Sequence, residues 1–303
     1  MKVKHLLIAI LIVVVTGLAV IVYTRDGGSE NTDGPRFLFE INAKDGGTGL
    51  KEPVYAATDN QDRILVADSG NHRVAVFTSK GQFLYEIGGT GSSKPLSYPY
   101  GIGFLGSRVL VADPGAGSMY EYSGSGDYKK TWITPEQGIR PAQIFVTSHS
   151  DVYVTDMAGK QILVFDKDSS LIKTIKSQQV PLGSPHGLAV TGDGFIWVAD
   201  GGNYNVKLLS PTGETKKVFD GGPVQALSMA KGLAVDSKDR IYVADTLSNL
   251  IRVFDEDGNI ITAFGTASDK KASFSLPVGI FIDNNDRIYI ADQGNNRIQV
   301  WSY

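Results

Sequence analysis

Three polar side chains share one position of a recurring sequence pattern, and together they could bind a ligand. The pattern reads Pro-x-Gly or a close variant, and its middle position holds Tyr100, His186 and Lys231. A phenol, an imidazole and an ammonium provide donors suited to a small anion or a peptide terminus. The alternative is a plain ring of side chains that lines a channel and holds nothing.

Six aspartates occupy a second recurring position, where carboxylates could suggest a metal or acid–base site. A carboxylate at the same place in every unit cannot converge on one substrate, whereas aspartate commonly accepts backbone N–H bonds in turns. We therefore predict that they are structural anchors. These anchor aspartates are Asp68, Asp113, Asp156, Asp200, Asp245 and Asp292.

The segments that follow the anchor aspartates carry bulky residues at positions where a loop is expected. Aromatic and methionine side chains are enriched at protein–protein contacts. The pattern predicts a partner-binding face made by these loops. Its candidate residues are His72, Met119, Met157, Tyr204, Leu247 and Leu250.

A tandem repeat must position all of these side chains. Successive anchor aspartates are 43 to 47 residues apart in a chain of 303 residues. Each unit contains short runs rich in Val, Ile and Tyr between Gly, Asn and Asp, which are strand and turn signals. Four short strands in each unit of about 44 residues are typical of a β-propeller blade. Six units therefore predict an all-β, six-bladed β-propeller in which the Pro-x-Gly residues surround the channel mouth.

The ring closes, by our interpretation, with a strand from the beginning of the domain. The sixth unit stops at Tyr303, after its third strand. Residues 36–41 contain Phe-Leu-Phe-Glu-Ile, which matches the fourth-strand sequence Phe-Leu-Tyr-Glu-Ile at 83–87. We expect residues 36–41 to supply the missing strand of a propeller spanning 35–303.

The units resemble the NHL repeat, in which Pro-x-Gly-Ile precedes Arg-Ile-Tyr-Val-Ala-Asp and then Asn-x-Arg-Ile-x-Val-Phe. Residues 277–301 and 53–77 fit this pattern best. The resemblance implies a six-bladed propeller but no single function, because NHL propellers include RNA binders, protein-binding sensor domains and one group of lyases. In the amidating lyases, histidines at alternate mouth positions hold a catalytic zinc. In this chain the alternate partners of His186 are Tyr100 and Val278, so the resemblance implies no metal and no cofactor.

The first 25 residues have the composition of a transmembrane signal-anchor. Residues 6–23 are almost entirely apolar and would form a helix of about 27 Å, close to the hydrocarbon thickness of a bilayer. Lys2 and Lys4 place the amino terminus in the cytoplasm by the positive-inside rule. Residues 26–34 read as a flexible linker. A cleaved signal peptide is the alternative, although its apolar region is usually shorter and ends at a small-x-small site.

The predicted function is a non-enzymatic module on a single-pass membrane anchor, with its propeller outside the cytoplasm. It would bind an envelope or membrane protein, or a peptide, as the external sensor domains of some bacterial receptor kinases do. Without its first 25 residues the chain has 26 basic and 32 acidic residues, a net charge of −6 that opposes nucleic-acid binding. A six-bladed enzyme resembling the amidating lyases or lactonases, and an RNA-binding NHL domain, are the alternatives. The absence of cysteine excludes disulfides and a cysteine nucleophile.

Overall fold

A computed structural model describes residues 12–15, 18–21, 34–42, 49–223, 225–265 and 272–303. The chain divides into two compact units, Met1–Gly34 and Pro35–Tyr303. The first unit contains strands β1 (Ile12–Val15) and β2 (Leu18–Ile21), which pair antiparallel.

The predicted transmembrane helix is not shown. The described part of residues 6–23 is the β1–β2 pair, and the rest lies outside the described residues, as does the linker except for Gly34. In the described part of the chain, no helix combines the length and apolar character needed to cross a membrane. Hydropathy and length carried that prediction, and residues rich in Val and Ile are also strand formers, so their local structure is not fixed by hydropathy.

The second unit is a six-bladed β-propeller, which confirms the predicted fold. Each blade is a four-stranded antiparallel sheet, and in blades 1 to 5 the strands are consecutive in sequence from the channel outward. Short apolar runs form the strands, and tight turns between them contain glycine, asparagine or aspartate.

The first three blades follow one another along the chain, each with its innermost strand at the channel. Blade 1 contains β4 (Pro53–Thr58), β5 (Ile64–Asp68), β6 (Arg73–Phe77) and β7 (Phe83–Ile87). Blade 2 contains β8 (Ile102–Leu105), β9 (Arg108–Asp113), β10 (Ser118–Ser123) and β11 (Tyr128–Ile133). Blade 3 contains β12 (Pro141–Val146), β13 (Val152–Asp156), β14 (Gln161–Phe165) and β15 (Leu171–Ile175).

Blades 4 to 6 repeat this arrangement. Blade 4 contains β16 (Pro185–Val190), β17 (Ile196–Asp200), β18 (Asn205–Leu209) and β19 (Thr215–Phe219). Blade 5 contains β20 (Ala230–Val235), β21 (Ile241–Asp245), β22 (Leu250–Phe254) and β23 (Ile260–Phe264). Blade 6 contains β24 (Pro277–Ile282), β25 (Arg287–Asp292), β26 (Arg297–Ser302) and, as its outer strand, β3 (Arg36–Ile41).

Strand β3 joins the two ends of the propeller. It pairs antiparallel with β26, and Val300 lies opposite Phe39. The Phe37 ring packs edge-to-face on Trp301 at 5.7 Å between centroids, and Arg297 Nη1 bonds Glu40 Oε2 at 2.6 Å. Closure in this way completes the sixth blade and covers what would otherwise be an open sheet edge.

The hydrophobic core lies between neighbouring blades, because both faces of each small sheet are covered. One cluster, for example, joins Val66 and Phe77 of blade 1 to Tyr289 and Val300 of blade 6. The inner strands approach most closely at the glycine of Pro-x-Gly. A β-carbon on Gly232 would lie 2.3 Å from the Val278 carbonyl oxygen in the next blade.

Candidate functional site

The strand register brings the anchor aspartates and the Pro-x-Gly residues to one end of the propeller. Asp68 lies opposite Pro53, Asp200 opposite Pro185, and blades 3, 5 and 6 have the equivalent pairing. We call this end the loop face, and the opposite end, where the inner strands turn into the second strands, the turn face. The channel mouth and the predicted partner-binding loops therefore share the loop face.

Each anchor aspartate is fully buried and accepts hydrogen bonds within its own loop region. Asp113, for example, accepts the backbone N–H groups of Ser97, Tyr98 and Ala116 at 2.7 to 3.1 Å. Asp156 accepts the backbone N–H of Arg140 at 3.0 Å. The six carboxylates thus tie the segment that leads into each inner strand to the loop at the end of the second strand.

Four of these carboxylates also hold a buried cation. Arg73, Lys207, Arg252 and Arg297 lie five or seven residues after their anchor and bond it at 2.5 to 2.9 Å. Blades 2 and 3, both within the described residues, lack this cation, and in blade 3 a neutral Gln161 donates to the anchor instead. The cation therefore distinguishes blades 1, 4, 5 and 6.

The channel mouth brings together two of the three predicted ligand-binding side chains. Tyr100 and His186 have ring centroids 6.3 Å apart, and both residues are half-buried. His186 Nδ1 bonds the Ser184 carbonyl oxygen at 2.8 Å. The Tyr100 hydroxyl is buried and has no hydrogen-bond partner among the described residues. Lys231 follows in the next blade, and its charge acts on His186.

Burial sets the protonation of this cluster. It lowers the pKa of His186, and the charges of Lys231 and Arg140 lower it further, against the Ser184 hydrogen bond and Asp200. Burial also lowers the pKa of Lys231, and it raises that of Tyr100. At neutral pH, His186 is therefore a neutral imidazole beside a partly desolvated ammonium and a protonated phenol.

Two residues that the sequence pattern did not single out lie below this mouth. Tyr55 and Gln143 occupy the third position of β4 and β12, where the other four blades have glycine, and their side chains are within hydrogen-bonding reach of each other. They line the inner end of a cavity of about 600 Å³ that extends to the turn face. The loss of glycine in two Pro-x-Gly positions was the sequence signal that could have found them.

The loops of the loop face share a left-handed residue four positions after each anchor. Asparagine holds this position in blades 5 and 6, with φ of 56° for Asn249 and 54° for Asn296. Their side-chain oxygens accept the backbone N–H of Leu276 and Glu52, each just before the next inner strand. Asparagine thus has a structural role there, and it tolerates the left-handed conformation.

Tyr204 occupies the same position in blade 4 without that role. Its φ is 56°, its side chain is 52% exposed, and no hydrogen bond or ring contact of that side chain is found among the described residues. A bulky residue in this conformation costs about 1 kcal/mol. Leu247, in the loop of blade 5, is 56% exposed. These two side chains are the most exposed of the predicted partner-binding residues of apolar or aromatic type.

The other predicted partner-binding residues are placed less favourably. His72 is exposed, and its ring contacts the Ser97 carbonyl oxygen, whereas Met157 and Leu250 are half-buried. Met119 is fully buried in the core between blades 2 and 3, so the expectation that it is exposed was wrong. It belongs to strand β10, not to the loop, and both faces of that strand are covered.

No group of three or more His, Asp and Glu side chains among the described residues is arranged to hold a metal ion. His72 and His186 belong to different blades, and each ring contacts a carbonyl oxygen near its own loop.

Comparison with known families agrees with this architecture. The NHL repeat model matches residues 50–77, 182–207, 227–254 and 274–301. The chain is an NHL-repeat β-propeller. The four matched segments are the blades whose anchor aspartate holds a buried cation, which gives the match a physical basis.

Curated relatives of this NHL propeller are distant. It is 24% identical over 263 residues to SUPPRESSOR OF QUENCHING 1, chloroplastic, of Arabidopsis thaliana, covering 70% of this chain and 25% of that protein. It is 24% identical over 218 residues to the E3 ubiquitin-protein ligase NHLRC1 of Rattus norvegicus, covering 66% and 54%. It is 26% identical over 178 residues to NHL repeat-containing protein 3 of Homo sapiens, covering 50% of each. The chain thus spans less than two thirds of each relative.

Solved structures share the fold of this NHL propeller. A catalytically inactive variant of virginiamycin B lyase from Staphylococcus aureus with quinupristin has a TM-score of 0.64 at 15% identity, covering 87% of this chain and 86% of the lyase. A protein of unknown function from Bacteroides thetaiotaomicron has a TM-score of 0.67 at 18% identity, covering 87% and 73%. At these identities the likeness concerns the fold alone.

Proposed function

We propose that this NHL propeller is a membrane-anchored, extracytoplasmic binding module that engages a protein or peptide partner on its loop face. The propeller is an assembly of six sheets tied by buried anchor networks, so its exposed loops are held on a rigid support. The apolar run at 6–23 and the basic residues before it support the anchor and its orientation.

The exposed, left-handed Tyr204 carries this proposal. A residue held in a rare backbone conformation at a place where asparagine serves the fold better points to a role outside folding. A tyrosine presents a large apolar ring and a polar hydroxyl, which suits a contact that must exclude water and still donate a hydrogen bond. Leu247 on the next blade adds exposed apolar area to the same face.

Site-specific photo-crosslinking in intact cells tests the binding face. A benzophenone amino acid at position 204 should give a discrete adduct with one envelope protein or peptide. The matched control places it at Leu84, an exposed residue on the outer strand β7 of blade 1. Equal adducts from both positions, or none from position 204, would contradict the proposed face.

The proposed location is tested with single introduced cysteines, because the natural chain has none. S125C lies in an exposed loop of blade 2 and should react with a membrane-impermeant maleimide in intact spheroplasts. K2C should react only after the membrane is permeabilised. The reverse labelling pattern would place the propeller in the cytoplasm.

A further inference from the structure

We infer that the channel mouth on the loop face binds a carboxylate through Lys231 and Tyr100, beside His186 and Arg140. The inference depends on the proposed function for the source of the carboxylate, which would be the carboxyl terminus or an acidic side chain of the bound partner. The evidence for the site itself comes from the side chains at the mouth and does not depend on that function.

The mouth has an excess of positive charge. The half-buried Lys231 ammonium makes no hydrogen bond or ion pair with any described residue, and desolvation is the one influence on its pKa. The exposed Arg140 guanidinium likewise has no ion pair within the described part of the chain, and its charge reaches both His186 and Tyr100. A partly buried ammonium without a counter-ion is unfavourable, and an anion would relieve it.

The carboxylate that acts on His186 already has partners of its own. Asp200 acts on His186, but it is fully buried and accepts bonds from Lys207 Nζ at 2.5 Å and from the Ser184 N–H at 2.8 Å. It also accepts the side-chain amide of Asn203 at 2.8 Å. The charge of Asp200 is therefore balanced within its own loop by Lys207, and this carboxylate does not serve as the counter-ion of Lys231.

The mouth also offers an unused donor. The buried Tyr100 hydroxyl has no partner among the residues that the structure describes, and an orphaned buried hydroxyl calls for a bound water or ligand. The Lys231 ammonium would balance the single charge of a carboxylate, and the Tyr100 hydroxyl is one further donor at the same mouth. A phosphate dianion, with three acceptor oxygens, would leave acceptors unpaired at so small a set of donors.

His186 makes the site observable. The groups that act on it are the cations Lys231 and Arg140, the carboxylate Asp200 and the Ser184 carbonyl oxygen. An anion bound beside the imidazole favours its protonated form and therefore raises its pKa, by about one unit at close range. Binding then takes up a proton and tightens as the pH falls.

The test is a titration of the full chain in detergent micelles, with 13C-labelled histidine followed by NMR. The His186 resonance is assigned by its loss in H186N. Sodium acetate should move it saturably and raise its pKa by about one unit. A short peptide with a free carboxyl terminus should act as acetate does, and its amidated form should not.

Three variants connect the signal to the site. K231Q should abolish the acetate response, whereas K238Q, the same change at an exposed lysine of the same blade on the turn face, should leave it unchanged. Y100F removes the orphan hydroxyl alone, so it should weaken acetate binding about fivefold, the loss of one hydrogen bond, without lowering the stability of the fold.

Several outcomes would overturn the inference. These are an unchanged His186 resonance with acetate, a response to inorganic phosphate but not to acetate, or equal responses in K231Q and K238Q. Failure of the proposed function gives a different result from failure of this inference. In that case cross-linking at position 204 fails while acetate still shifts the His186 resonance. Binding of acetate but equal binding of free and amidated peptides would remove the peptide terminus as the source and leave an acidic side chain.

Discussion

The Lys207 ammonium lies 2.5 Å from the Asp200 carboxylate, and neither side chain is exposed to solvent. The pair holds the loop of blade 4 to Pro181, whose carbonyl oxygen accepts a second bond from Lys207 at 3.0 Å. The same Asp200 anchors Ser184, whose carbonyl oxygen in turn bonds the ring of His186. The buried pair is therefore connected to the channel mouth through two hydrogen bonds.

Removing the buried ammonium of Lys207 should lower the stability of the propeller. We expect K207M to lower the free energy of unfolding by about 3 to 5 kcal/mol, because it leaves a buried carboxylate without its partner. Urea unfolding followed by circular dichroism measures this. The control is K217M, which breaks the exposed pair with Asp257 and should cost less than about 1 kcal/mol. Similar losses in both variants would show that burial of the first pair has no special effect.

Closure of the ring can be tested with a disulfide in a chain that has no native cysteine. Arg36 and Ser302 are paired across β3 and β26, so R36C/S302C should oxidise to an intramolecular disulfide. It should raise the free energy of unfolding by about 2 to 4 kcal/mol, since the closed loop is long. Mass spectrometry counts the free thiols. R36C/K238C is the control, and persistent free thiols in the first pair would argue against closure by β3.

The close approach of the inner strands predicts a large effect for one methyl group. A β-carbon on Gly232 would also lie 2.8 Å from the Ile280 backbone nitrogen, so G232A should cost about 3 kcal/mol by forcing blades 5 and 6 apart. Gly192, in the turn after β16, has nothing within 4 Å of such a β-carbon. G192A should therefore leave stability unchanged or slightly higher. Thermal unfolding of the two variants compares them directly.

Much of this architecture could be predicted from the spacing of the repeated sequence motif. The spacing of the anchor aspartates indicates six blades, and the similarity of residues 36–41 to 83–87 indicates how the last blade is completed. Repetition carries that information because each blade packs only on its neighbours. The same reasoning identifies the mouth residues, since their place in the unit fixes their place in the ring.

The residues in which one blade differs from another could not be predicted from the repeat. Analogy with the other loops predicts an exposed Met119, but the residue lies opposite Ala112 on a strand that is covered on both faces. Such a strand has no alternation of apolar and polar residues, so its sequence does not show which side chains are buried. Tyr55 and Gln143 meet across the channel because two blades have lost the same glycine, and their contact depends on distances between blades. The missing partner of Tyr100, among the described residues, is likewise visible only in three dimensions.

The left-handed position of Tyr204 predicts a separation of stability from binding. Y204N should raise the free energy of unfolding by about 1 kcal/mol, because asparagine adopts this conformation more readily. It should also reduce capture of the partner that cross-links from position 204. The reciprocal change N249Y should destabilise the propeller by about 1 to 2 kcal/mol, since it removes the acceptor for the Leu276 N–H. Loss of stability in Y204N would show that the tyrosine serves the fold.

The buried anchors predict a fall in stability at acid pH. Burial opposes ionisation of Asp200, but hydrogen bonds from Lys207, Ser184 and Gly183 outweigh it and hold the pKa below its ordinary value. For Asp245, bonds from Ser228 and Met229 likewise outweigh burial and lower the pKa.

With folded pKa values below those of the unfolded chain, the unfolded state binds more protons in acid. The stabilisation is therefore complete above the unfolded pKa of about 3.9 and is lost as the pH falls through the folded values. We expect the free energy of unfolding to decrease from about pH 5 downward, measured by urea unfolding at pH 7, 5, 4 and 3. D245N should be less stable at pH 7 and show a shallower decline, whereas D257N, at an exposed site, should follow the unmodified protein. A profile for D245N parallel to that of the unmodified protein would mean that this anchor does not contribute to acid unfolding.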